Sequence, residues 1–125
     1  MTAAIYTAIA EKLAEIGGID DVGVVSAPGR TAILFAGSKT ITKYIRGPKK
    51  QAIIFQISGM DANDRQQALI SRLTYIVSTL ESAEITVDGI MDPAVSVNNL
   101  PIPTVHNSEH WIYTANIEIT FNMKG

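Results

Sequence analysis

The sequence predicts an α+β fold: a mainly antiparallel sheet with two helices packed on one face, in the order α-β-β-β-α-β-β. Three stretches carry that expectation. Residues 52–57, Ala-Ile-Ile-Phe-Gln-Ile, place β-branched and aromatic side chains between Gly47-Pro48 and Ser58-Gly59, as a strand with a fully buried face does. Beyond a polar turn at Met60-Asp61-Ala62-Asn63-Asp64, the apolar residues Leu69, Leu73, Ile76, Val77 and Leu80 recur at helical spacing. In the last stretch Trp111, Tyr113, Ala115, Ile117, Ile119, Phe121 and Met123 alternate with Thr114, Asn116, Glu118, Thr120, Asn122 and Lys124. Period two over that length means a long antiparallel strand with one wet face.

The remaining elements follow in order. Residues 2–16 form a helix, with Ile5, Ile9, Leu13 and Ile16 on one stripe, Thr2 at its N-cap, and Gly17-Gly18 ending it. Residues 22–25 read as a short strand, Pro28-Gly29 as a turn, and residues 31–35 as a further strand interrupted at Gly37-Ser38-Lys39. Residues 40–46 alternate as a strand with one exposed side. The turn Gly47-Pro48-Lys49-Lys50 folds them back, so residues 40–58 are expected to form a β-hairpin. Asp61 or Asn63 is positioned to cap the second helix, and Asp64 to favour its positive end. After that helix, residues 85–87 are a strand candidate broken by Asp88-Gly89 and Asp92-Pro93 and resumed at 95–97. Residues 98–108, with Pro101 and Pro103, read as the longest loop.

Composition narrows the classes. At 125 residues the chain is expected to form a single domain, 1–125, with one sizeable core. The 46% hydrophobic and 18% charged content suits a globular protein and argues against disorder. A net charge of −2 provides no bulk attraction to nucleic acid or to an anionic membrane. The absence of cysteine excludes a disulfide framework and thiolate-ligated zinc. The first residues lack the basic and apolar regions of a signal peptide, and no window approaches the ~20 apolar residues of a membrane span, so a soluble cytoplasmic protein is expected.

Each cluster with chemical potential also has a structural reading. Residues 106–110 match H-x-x-E-H, a metalloprotease pattern that needs both histidines on one helical face. Here the pattern lies between a proline-rich stretch and a strand, where positions four apart stand ~13 Å from each other, too far for one metal. Asp61, Asn63 and Asp64 lack the spacing of a calcium loop, and no serine, histidine and acid are arranged for nucleophilic catalysis. Asp20-Asp21, Glu81 and Glu84 read as scattered surface charges. Lys39, Lys43, Arg46, Lys49 and Lys50 place half of the ten basic residues on the predicted hairpin. Such a cluster faces a phosphate backbone or an acidic partner, or it keeps an exposed strand soluble and protects its edge. Trp111 belongs to the core face of the last strand or anchors an interface. The residues alone therefore predict no catalytic, cofactor or metal site. A small binding module using the basic hairpin 39–50 is one open reading.

The order of elements, together with Asn99-Leu100-Pro101-Ile102-Pro103 and the aromatic strand start Trp111-Ile112-Tyr113, resembles the small minor capsid or tail-terminator proteins of long-tailed bacteriophages and prophages. The resemblance covers nearly the whole chain, except that residues 23–39 have no counterpart in it. It implies a non-enzymatic structural protein that forms a homo-oligomeric ring, commonly hexameric, at the head-proximal end of the tail. Its implied partners are tail and head-connector proteins, with passing DNA as a further contact and no membrane. Its implied location is the host cytoplasm during assembly and then the virion. Head-completion and tail-tube proteins are neighbouring alternatives. On this reading the hairpin 40–55 supplies one ring contact, and Lys43, Arg46, Lys49, Lys50 and Trp111 are the interface or lumen-facing candidates.

Overall fold

The computed structural model describes residues 3–23, 27–40, 50–106 and 109–123. Helix α1 (Ala3–Gly17) buries Ile9 and Leu13 completely and leaves Glu11 and Glu15 in solvent, as its periodicity demands. Gly18 ends it at φ +67°, and the Ile19 amide reaches back to the Ala14 carbonyl at 2.9 Å, closing a Schellman-type cap. Strand β1 (Asp21–Val22) is followed by β2 (Thr31–Thr40), β3 (Lys50–Ala62), a 3₁₀ turn (Asn63–Arg65), α2 (Gln66–Ser82), β4 (Ile90–His106) and β5 (His110–Met123).

The five strands form one sheet in the order β1-β2-β3-β5-β4. Only β1 and β2 run parallel; the other neighbours are antiparallel, with β3 and β5 in unbroken register from Lys50–Asn122 to Ala62–His110. Alternation sorts the side chains. Ile53, Phe55, Ile57, Ala115, Ile117, Ile119 and Phe121 all point to one face and are fully buried with Leu69, Leu73, Ile76, Val77 and Leu80 of α2. Each large side chain there contributes about 1.5–3 kcal/mol of burial. Gln56, Asn116, Glu118 and Thr120 line the opposite, wetter face. The predicted α+β architecture and its element order are thus the observed ones.

Several local expectations need correcting. Strand β2 runs through Gly37-Ser38-Lys39: a bulge between Phe35 and Gly37 absorbs the irregularity, and pairing with β3 continues to Thr40. The described hairpin arms are therefore β2 and β3. The predicted strand 40–46 lies, after Thr40, outside the described residues, as does the turn before Lys50. Strand β3 extends through Met60-Asp61-Ala62, which were expected in the turn. Neither helical segment that follows has a side-chain N-cap. Asp61 accepts from the Ala62 amide at 2.8 Å and pairs with Arg65 at 3.5 Å instead of capping.

The largest difference concerns β4. Residues 85–87 are not a strand, whereas residues 98–106, expected as loop, continue β4 alongside β5. Four register shifts, beginning at Met91/Ala94 and ending at Pro103/Val105, let this strand carry Pro93, Pro101 and Pro103. An edge position explains that tolerance, because a strand paired on one side only can lack donors on the other.

Candidate functional site

The sequence-predicted site residues do not converge. Lys43, Arg46 and Lys49 lie outside the described residues. Lys50 opens β3, exposed, with Asn122 as its register partner. Trp111 stands half-buried at the far end of the sheet, between Asp61 and His106 in register. Its ring lies 5.6 Å from that of Tyr113 and packs against the core, which agrees with the core reading. Tyr113 in turn accepts a hydrogen bond from Gln66 Nε2, tying β5 to the start of α2.

The H-x-x-E-H pattern spans a hairpin. His106 ends β4 opposite Trp111, His110 begins β5 opposite Ala62, and no helix aligns the two. Glu109 Oε2 lies 4.0 Å from His110 Nδ1. Among the described residues, no group of three or more histidine, aspartate or glutamate side chains is placed to hold a metal. Among them, too, no helix is long and apolar enough to cross a membrane.

A small cavity of about 80 Å³ at the top of the sheet brings together Arg30, Arg65 and Arg72, a concentration of positive charge that spacing did not reveal. Each guanidinium already meets a carboxylate: Arg30 with Asp21 at 2.9 Å, Arg65 with Asp61 at 3.5 Å, and Arg72 with Asp20 at 3.2 Å. Hydrogen bonding to Asp21, and then its charge, push Arg30 further above its ordinary value. Asp20 also accepts from the amide of fully buried Thr31 at 2.8 Å and from its hydroxyl at 3.2 Å. Arg72 donates to the Gly29 carbonyl at 2.9 Å. With its charges matched, the cluster works as a clamp joining α2 to the loop before β1 and to the start of β2. Asp20 and Asp21, expected as scattered charges, are two of its members.

The surface feature that stands out is apolar and lies on both margins of the sheet. On the β1/β2 margin Val22, Leu34 and Phe35 are 54%, 40% and 42% exposed; on the β4 margin Leu100 and Ile102 are 63% and 54% exposed. The first margin includes a groove of about 170 Å³ between α1 and β2, lined by Tyr6, Ala10, Val22, Ile33, Leu34 and Phe35. Tyr6 stacks on Phe35 at 4.6 Å and forms part of its wall. Strand β1 covers β2 only opposite Ala32 and Ile33, with Gly23 donating to the Ile33 carbonyl at 2.8 Å. Among the described residues nothing pairs with that side of β2 beyond Ile33. Sequence reading missed this pair of margins because it placed Leu100 and Ile102 in a loop. The available signal was their position among prolines, which is how an edge strand is written.

Comparison with protein-family models finds no match, and comparison with curated proteins finds none either.

Proposed function

We propose that this chain is a structural assembly protein of a long-tailed bacteriophage or prophage, a tail terminator or minor capsid protein. On this reading it forms a ring at the head-proximal end of the tail, joins tail to head and performs no catalysis. The observation that supports it is the pair of unlike, exposed apolar margins on one sheet. A protein that presents one patch to a different patch on its neighbour builds head-to-tail assemblies, which close as rings when the rotation permits. Patches of this kind on a small domain mark interaction surfaces. The basic residues Lys43, Arg46, Lys49 and Lys50 would then face the lumen or the adjoining tube.

Native mass spectrometry of the purified protein across a wide concentration range tests the reading. A closed oligomer, six copies above all, is the expected result. A strict monomer that also binds duplex DNA with a steep salt dependence would replace it with the binding-module reading.

A further inference from the structure

We infer that successive copies join edge to edge, residues 94–99 of β4 in one copy pairing antiparallel with residues 34–39 of β2 in the next. Leu100 then enters the groove between α1 and β2. The inference rests on the assembly reading above and specifies its interface.

Direction comes first. Strand β2 is antiparallel to β3, β3 to β5, and β5 to β4, so β4 runs opposite to β2. A neighbour placed in the same orientation beside the sheet therefore meets β4 with an antiparallel β2 and continues the existing pattern.

Register comes next. Leu34 is level with Gln56, Asn116 and Asn99 across the sheet, and Lys39 is level with Ala52, Thr120 and Ala94. The uncovered part of β2 thus matches in height the stretch of β4 between Pro93 and Pro101. That stretch contains no proline and retains every amide, whereas the prolines bounding it supply none.

The two ends of the window agree. Thr40 is level with the bulge between Met91 and Ala94, where exposed Asp92 sits at φ +52°. Regular pairing therefore stops at that end at the Asp92-Pro93 bulge. At the other end, Leu100 arrives level with Ile33, at the mouth of the groove. The groove's 170 Å³ exceeds the ~150 Å³ that admits a benzene-sized group, so a leucine side chain fits. The register shift at Asn99/Ile102 ends regular pairing of β4 at the height where β1 of the neighbour covers Ala32 and Ile33.

The chain contains no cysteine, so introduced thiols report without background. Leu34→Cys and Asn99→Cys, which the register sets opposite one another on one face, are prepared separately, mixed under mild oxidation and resolved without reductant, with native mass spectrometry run in parallel. A mixed disulfide dimer as the main product, with each variant alone remaining at background, is expected. Dimers of Leu34→Cys alone or of Asn99→Cys alone would overturn the inference in favour of a two-fold contact. A closed oligomer without the mixed disulfide would overturn the inference and leave the assembly reading standing. A monomer at every concentration, without cross-links, would overturn both.

Discussion

Replacing Asp20 by alanine and by asparagine separates the two roles of this carboxylate. In both variants the ion pair with Arg72 is lost, but only alanine removes the acceptor for Thr31. Thr31 is fully buried, and its amide and hydroxyl reach Asp20 at 2.8 and 3.2 Å. Leaving a buried donor unsatisfied costs about 1–3 kcal/mol. The Arg72–Asp20 pair is different, because the two side chains are 44% and 29% exposed. An ion pair that open to water contributes about 0–1 kcal/mol. Asp20→Ala should therefore cost about 2 kcal/mol, and Asp20→Asn no more than about 1. With an unfolding entropy of about 2.1 cal/mol/K per residue, a chain of 125 residues loses about 4 °C in Tm per kcal/mol. The expected drops are about 8 °C for alanine and at most about 4 °C for asparagine. Thermal and urea unfolding followed by circular dichroism, at one low protein concentration, reads both. In high salt the asparagine variant should approach the parent, because screening weakens the pair that only the parent retains, while the alanine deficit persists. Equal losses for the two variants would refute the reasoning, since charge rather than buried hydrogen bonding would then hold the clamp.

Two further changes probe the sheet. Gly59 lies under α2, where an added Cβ would meet Leu69 Cδ1 at 2.6 Å and Leu73 Cδ2 at 3.3 Å. Gly59→Val should destabilise by about 1–3 kcal/mol through overpacking, and a neutral result in urea unfolding would contradict the close approach of helix and strand. Exchanging Pro101 and Pro103 for threonine gives the free margin of β4 two new backbone donors. The double variant should aggregate faster, measured by light scattering and thioflavin fluorescence, and unchanged kinetics would show that the prolines do not guard this edge.

The elements that sequence reading placed correctly are those whose burial is decided by one dominant partner surface. Strand β3, α2 and β5 build the centre of the sheet and its helical cover, so their apolar residues recur at the period of the element that holds them. The first helix adds an end signal, because Gly18 occupies a left-handed position that other residues reach only at a cost. Strand β4 carries neither mark. It pairs on one side only, and its bulges break the two-residue period wherever alternation would have betrayed it. The arginine clamp was unreadable for another reason. Arg30 with Asp21 and Arg72 with Asp20 join separate segments of the chain, and pairing of that kind leaves no helical or strand spacing to detect; only Arg65 with Asp61, four residues apart, is local. Trp111 was readable as core-facing because it shares its face of β5 with Tyr113, Ala115, Ile117, Ile119 and Phe121.

Prolines at both ends of an otherwise pairing-competent stretch have a consequence that neither a fully guarded nor a fully open edge shares. An edge without protection pairs with any strand at any register, which leads to aggregates rather than to closed assemblies. An edge blocked throughout pairs with nothing. In β4 the donors are missing at 93, 101 and 103 and present between them, so a partner strand is accepted over one short window and rejected if it slides. Strand β2 has the complementary limitation, since β1 closes one end of its free side. Specificity between the two margins then arises mainly from where pairing is forbidden, and the contact of Leu100 with the groove adds affinity after the register is set. On this account, proline-to-threonine variants lose fidelity of assembly before they lose strength of association. Cross-linking that spreads to several registers while the total amount of oligomer holds steady is the signature to seek, and a single unchanged register would place the specificity in the groove instead.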